Sequence, residues 1–205
     1  LTIDLDIQRA AEEAIARCFG ATVRAAAVVM NVRTGDVLAM VSSPTFDPNE
    51  FAQGLTVAQW QQIQTLTAEK NRATYDNYAP GSIFKTIVGL AALEKGLNPD
   101  QLFTVEADPD KPGQSMIYVG RRKIRDTVPP GEYNFRRALM HSSNSYFITN
   151  GLRAGVENII RMGDQFHLGQ ETGLLPLQET AGQFPTLQRV ESSDWHDGDT
   201  ANLCI

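Results

Sequence analysis

The sequence predicts an α+β fold, an antiparallel sheet lying between helical layers, and three stretches carry that expectation. Ala25 to Met30 and Val37 to Val41 are apolar runs on either side of the turn residues Val32-Arg33-Thr34-Gly35-Asp36, the pattern of a β-hairpin. Neither arm alternates polar with apolar residues, so both faces of the hairpin are expected to be covered, as when helices pack on each side of a sheet. The third stretch begins at Ser82, where Ile83, Phe84, Ile87, Val88, Leu90, Ala91 and Leu93 cover most of a helix surface. A helix apolar nearly all round belongs in the middle of a domain.

Taken in order, Ile7, Ala10, Ala11, Ala14, Ile15 and Cys18 recur at helical spacing and Gly20 closes the segment, giving an amphipathic helix from Asp6 to Phe19. After the hairpin, Ser42 to Gly54 holds Pro44, Asp47, Pro48 and Asn49 and reads as a loop. Val57, Trp60, Ile63 and Leu66 mark a short helix capped by Thr56. A polar loop from Asn71 to Gly81 leads into the central helix, which should run from Ser82 to Lys95 because Gly96 sits where a left-handed cap belongs. Phe103 to Val105, Met116 to Val119 and Arg122 to Arg125 read as short strands, and helical patterns return at Asn134 to Met140, Tyr146 to Leu152 and Val156 to Phe166. From Gly169 to Asp199 the chain is rich in Gly, Gln, Thr, Asp and Pro and is expected to be irregular. There is no internal repeat.

Composition excludes several functions. The 205 residues carry a net charge of -6, and no basic run exceeds Arg121-Arg122-Lys123, which argues against nucleic acid as the main partner. Two cysteines, Cys18 and Cys204, make neither a disulfide framework nor a metal cluster and read as buried small residues. His141, His167 and His196 lack ligand spacing, so no metal or other cofactor is expected. No apolar run approaches the roughly eighteen residues of a membrane span. Residue 1 is Leu rather than an initiator Met, so any signal or anchor is expected upstream of it.

Two constellations can carry chemistry. Ser82 lies where an N-cap or first-turn residue belongs, and Lys85 follows one turn later on the same face. A serine hydroxyl is a weak nucleophile until a base takes its proton, and a lysine kept neutral by burial can be that base. A helix start also directs N–H groups at whatever the serine attacks, which favours an oxyanion. Alone, Ser-x-x-Lys is a weak signal: Thr67-Ala68-Glu69-Lys70 has nearly the same form and reads as a solvated helix end, and a cap with a salt bridge would also place Ser82 and Lys85. The second constellation is Leu139-Met140-His141-Ser142-Ser143-Asn144-Ser145-Tyr146-Phe147, small polar residues between apolar helical segments. Ser143 or Asn144 could simply cap the following helix, whereas the functional reading delivers Ser142 and Asn144, as Ser-x-Asn, to Ser82 and Lys85. Ser-x-x-Lys and Ser-x-Asn together are far more specific than either alone.

With those motifs in order, the chain resembles the transpeptidase domain of class B penicillin-binding proteins, the monofunctional peptidoglycan cross-linking enzymes, and the elongation type more than the division type. The resemblance is carried by Leu1 to Gln8, Val28 to Ser42, Pro44 to Asn49, Asn71-Arg72-Ala73, Pro80 to Lys85, Ser142-Ser143-Asn144 and Gly198 to Leu203, nearly the whole chain. It implies a penicillin-binding/β-lactamase-like transpeptidase fold, with residues 1–205 the N-terminal and central part of one domain. It also implies that Ser82 is the acylated nucleophile, Lys85 its base, Ser142 a proton relay and Asn144 a partner of Lys85 and of the substrate amide. The implied substrates are peptidoglycan stem peptides, with β-lactams as mimics and the cell-wall elongation machinery as partner. The implied location is the extracytoplasmic face of the cytoplasmic membrane, reached by an N-terminal anchor. The family's Lys-Thr-Gly does not occur between residues 1 and 205; it is expected on strands after Ile205, so the isolated fragment should be catalytically crippled and its hairpin should have an exposed edge. A serine β-lactamase and a non-catalytic β-lactam sensor or cell-wall scaffold are the alternatives. Glu179 lacks the Glu-x-x-Leu-Asn setting of class A β-lactamases and reads as an ordinary loop residue.

Overall fold

The computed structural model describes residues 2–174, 179–192 and 194–205. They divide into two units, Leu1–Asn77 with Glu171–Gly182, and Tyr78–Gln170 with Gln183–Ile205.

In the first unit, helix α1 (Leu5–Phe19) is capped by Asp4, whose carboxylate accepts from the amides of Asp6 and Ile7. Gln8 fixes α1 to the hairpin, because its amide donates to Met40 O at 3.1 Å and its Oε1 accepts from Met40 N at 2.8 Å. Strands β1 (Ala25–Met30) and β2 (Val37–Ser43) pair antiparallel from Ala25↔Ser43 to Val29↔Ala39, with a register shift before Met30↔Val37. Val37, Ala39 and Val41 of β2 are buried in alternation, but Val28 and Met30 of β1 are 48% and 51% exposed. The expectation of two covered faces therefore fails for β1, and among the described residues the hairpin is a two-stranded sheet with an open edge.

The loop expected over Ser42 to Gly54 contains helix α2 (Pro48–Gln53), because Asp47 accepts from Asn49 N as its N-cap and Pro48 takes the first position, which needs no N–H. Helix α3 (Val57–Leu66) is capped by Thr56 as expected, with Gln59 returning the bond to complete a capping box. Arg72 is 1% exposed and its guanidinium donates to Leu66 O, Thr67 Oγ1 and Pro44 O, tying its own loop to the end of α3 and to the loop at Pro44. Glu179 accepts from Thr172 and Gly173, an ordinary loop closure. Cys18 is exposed, contrary to expectation, because it lies in the last turn of α1, where every residue from Ala16 to Phe19 is exposed; Cys204, in the second unit, is buried.

The second unit opens with a 3-10 turn (Gly81–Phe84) that continues into α4 (Lys85–Glu94). The single helix expected from Ser82 is thus two segments: Ser82 lies in the tight turn, and Phe84 holds the N-cap position of α4 without a side-chain cap. Strand β3 (Phe103–Val105) pairs with β6 (Gly131–Tyr133), a strand the sequence reading does not contain, and β4 (Met116–Val119) pairs with β5 (Arg122–Arg125). Helices α5 (Phe135–His141), α6 (Asn144–Ala154) and α7 (Val156–Gln165) follow. Of the stretch expected to be irregular, residues 175–178 and 193 lie outside the described residues; the rest contains α8 (Leu187–Val190) and the start of α9 (Asp197–Leu203).

Helix α4 packs on α5, α6 and α7, and its apolar surface joins Val88 and Ala91 with Tyr146, Phe147, Ile148, Ile159 and Cys204 in one core. Gly89 permits the approach of α5, since a Cβ there would meet the Phe135 ring at 2.9 Å. A continuous core under α4 gives the residues at its start a rigid base.

Candidate active site

Ser82, Lys85, Ser142 and Asn144 all fall in the second unit. Ser82 is exposed at the second position of the 3-10 turn, and residues three apart in such a turn eclipse one another, so Ser82 and Lys85 share a face. Lys85 is 0% exposed. Its Nζ donates to Ser142 O at 2.7 Å, to Ser142 Oγ at 3.0 Å and to Asn144 Oδ1 at 2.6 Å. Three donors meet three acceptors, so the charged amine is satisfied although it has left water. Among the described residues the Ser82 hydroxyl is joined to this trio by no hydrogen bond, and it faces solvent.

The Ser142 contacts follow from its backbone. Helix α5 ends at Ser142 in the left-handed region, φ 60 and ψ 42, and α6 starts at Asn144 with Ser143 as N-cap. A non-glycine residue there costs on the order of 1–2 kcal/mol, and the cost is tolerated where the surroundings fix the turn. The two arrangements coexist geometrically: Ser143 caps α6, while Ser142 and Asn144 meet Lys85.

Three residues that the sequence reading does not single out surround the turn. Asp126, just past β5, accepts from Asn144 N at 2.7 Å, Ser145 N at 2.7 Å and Ser143 Oγ at 2.9 Å. Arg125 O accepts from Asn144 Nδ2 at 3.1 Å, and Thr127 Oγ1 donates to Ser142 O at 2.7 Å. No spacing rule signals them, since they lie 15 to 19 residues before their partners.

Electrostatics separates the two charged groups. Burial pulls the Lys85 pKa below its ordinary value, and the Asp126 carboxylate opposes that shift without cancelling it. Burial raises the Asp126 carboxyl, but hydrogen bonds from Ser145, Asn144 and Ser143 outweigh it and leave the group below the usual aspartate value. Asp126 is therefore an anion, and Lys85 is shifted toward a form that can accept a proton. Among the described residues no three His, Cys, Asp or Glu side chains gather as a metal set, and no helix is long and apolar enough to cross a membrane.

A fold and a site of this kind define a penicillin-binding transpeptidase domain. The family model for that domain, "Penicillin binding protein transpeptidase domain", matches residues 25–203, and the chain belongs to this family. Among curated relatives, the peptidoglycan D,D-transpeptidase MrdA of Escherichia coli K12 is 31% identical over 100% of this chain and 32% of its own length. The peptidoglycan D,D-transpeptidase PbpA of Mycobacterium tuberculosis is 32% identical over 90% of this chain and 39% of its own length. The chain thus spans about a third of the length of the curated relatives it matches. Among solved structures, Pseudomonas aeruginosa PBP2 in complex with WCK 5153 is similar with a TM-score of 0.83 and 29% identity, over 100% of this chain and 46% of that one. The ceftriaxone acyl-enzyme complex of M. tuberculosis penicillin-binding protein A has a TM-score of 0.82 at 27% identity, over 100% of this chain and 45% of that one. The mixed helix and short antiparallel strand architecture agrees with the expected fold.

Proposed function

We propose that this chain is the nucleophile-bearing part of one peptidoglycan D,D-transpeptidase domain of the elongation type, acylated at Ser82. The observation that carries the reading is the fully buried Lys85 amine, held by Ser142 and Asn144 one turn from an exposed serine. In the forward reaction Ser82 Oγ bonds to the carbonyl carbon of the penultimate D-alanine of a stem peptide while Lys85 Nζ takes the hydroxyl proton. The tetrahedral oxyanion collapses, the C–N bond to the terminal D-alanine breaks, and the departing nitrogen receives its proton through Ser142 Oγ. Asn144, whose Oδ1 holds Lys85, stands beside the substrate amide. An amine of a second stem peptide then attacks the ester, forms the cross-link and restores the Ser82 hydroxyl. A β-lactam enters by the same first step and stays attached.

The names of the relatives support the substrate class. A peptidoglycan substrate supports a site of action at the outer face of the cytoplasmic membrane, and an anchor there and work with the elongation machinery are part of the same proposal. Mass spectrometry of the penicillin-treated full-length protein should find the adduct on the Ser82 peptide. An adduct elsewhere that persists in Ser82→Ala would overturn the assignment. Rapid loss of the adduct with release of hydrolysed penicillin would instead make the protein a serine β-lactamase, and no adduct at all would favour a non-catalytic sensor or scaffold.

A further inference from the structure

We infer that Asp126 is a positioning residue for this site: it fastens the first turn of α6 to the exit of β5 and so holds Ser142 and Asn144 against Lys85. The inference rests on the acylation reading above. Ser143 already caps α6 by accepting from Tyr146 N at 3.2 Å, so the helix has its N-cap without Asp126. Asp126 takes what the cap leaves free, the amides of Asn144 and Ser145, and orients the cap itself by accepting the Ser143 hydroxyl proton at 2.9 Å.

The neighbours of Asp126 complete the arrangement. Asn144 Nδ2 is committed to Arg125 O at 3.1 Å, which leaves Oδ1 as the side of the amide that can face Lys85. Thr127 Oγ1 donates at 2.7 Å to the same Ser142 carbonyl that receives Lys85. Residues 125–127 thus make five hydrogen bonds with the turn, four of them accepted by Arg125 and Asp126 and one donated by Thr127, and the carboxylate is the only anion among the three residues. Charge-assisted bonds of this kind are about twice as strong as neutral ones, which makes Asp126 the strongest fastening of the three.

The carboxylate also acts on Lys85 through space. Ser142, Asn144 and the Phe147 ring, which face the amine from the turn and from α6, are neutral, and among the described residues Asp126 is the charged group whose field is resolved at Lys85. Removing the charge at residue 126 while keeping its shape should therefore change two things that a plain helix cap would not: the acylation rate per folded molecule, and the pH at which Lys85 loses its proton.

The test is the penicillin acylation rate of the full-length protein as a function of pH, beside its melting temperature. Asp126→Asn should lower the high-pH plateau about tenfold or more, the loss expected when bonds to a charged acceptor are replaced. It should also move the acid limb to lower pH, because Lys85 loses the anion that favours its charged form. Asp126→Glu keeps the charge, so its limb should stay in place while its plateau falls. A melting temperature that drops while plateau and limb of Asp126→Asn match the parent would make Asp126 a structural cap and overturn the proposal. Should Asp126→Asn fail to fold, Asp126→Glu and Thr127→Val decide: several-fold lower plateaus support it, and parental rates in both overturn it. Lys85→Arg, measured alongside, keeps the two ideas apart. If Lys85→Arg acylates normally the acylation reading itself fails; if it is inactive while the residue 126 and 127 variants behave as the parent, only the positioning role is lost.

Discussion

Lys85 Nζ lies 2.6 Å from Asn144 Oδ1, a contact between residues 59 apart in sequence that joins the start of one core helix to the start of another. Both ends are anchored, Lys85 by the apolar surface of α4 and Asn144 by the Arg125–Thr127 segment. The amine is therefore held by the fold before any substrate arrives, the preorganisation that the proposed role of general base would require.

Replacing Lys85 by arginine keeps a cation of similar reach but removes the ability to lose a proton. Acylation of the full-length protein by penicillin should fall by about 10²-fold or more, the contribution typical of general base catalysis. An unchanged rate at neutral pH would leave Lys85 as a structural cation.

The direction of the Lys85 shift sets a pH dependence. The base must be neutral, so acylation is suppressed below the Lys85 pKa and rises as pH passes through it. Burial, only partly opposed by Asp126, places that pKa below 10.5, the ordinary lysine value. The midpoint of the acylation limb, read by stopped-flow or radiolabel kinetics, should accordingly fall below 10.5. A midpoint at or above that value would mean that the limb belongs to a solvated amine.

Much of this site is legible in sequence because its parts are local. The Ser82 and Lys85 spacing, the Thr56 cap and the apolar surface of α4 each depend on residues within a few positions of one another. Asp126 is not legible, because its partners are 17 to 19 residues away, across β6 and α5, and no single period connects them. Helix α2 was hidden for a different reason: Asp47-Pro48 is a loop breaker in one context and an N-cap followed by a first-turn proline in another. The open face of β1 shows a third limit, since an apolar run such as Ala25 to Met30 gives no sign of which of its faces is covered.

Ser142 offers a backbone test. Ser142→Ala and Ser142→Gly both delete the hydroxyl that receives Lys85, so both should acylate poorly and to a similar degree. They differ only in how they bear φ 60. Glycine is at ease there and alanine is not, so the glycine variant should be more stable by about 1 kcal/mol, the reverse of their order inside a helix. Denaturant unfolding of the two variants measures the difference; an alanine variant as stable as the glycine one would mean that the turn relaxes out of the left-handed region.

Gly151 lies on α6 where that helix meets α4 and α9. A Cβ at this position would sit closer to Cys204 Sγ than side chains tolerate, and 3.0 Å from Val88 Cγ1. Cys204 is 0% exposed at the end of α9 and Val88 is 0% exposed in α4, so neither has free space into which to turn. Alanine would gain about 1 kcal/mol of helix propensity over glycine, but overpacking a close-packed core typically costs 1–3 kcal/mol. The net expectation for Gly151→Ala is a loss of stability of up to about 2 kcal/mol, seen as a lower midpoint in denaturant unfolding. The contact responsible can be isolated by a double-mutant cycle with Cys204→Ala, which removes the sulfur. Gly151→Ala should cost less in that background, with a coupling of about 0.5 kcal/mol or more between the two sites. If the cost is the same whether residue 204 is cysteine or alanine, the approach of α9 to α6 is not what requires glycine at position 151.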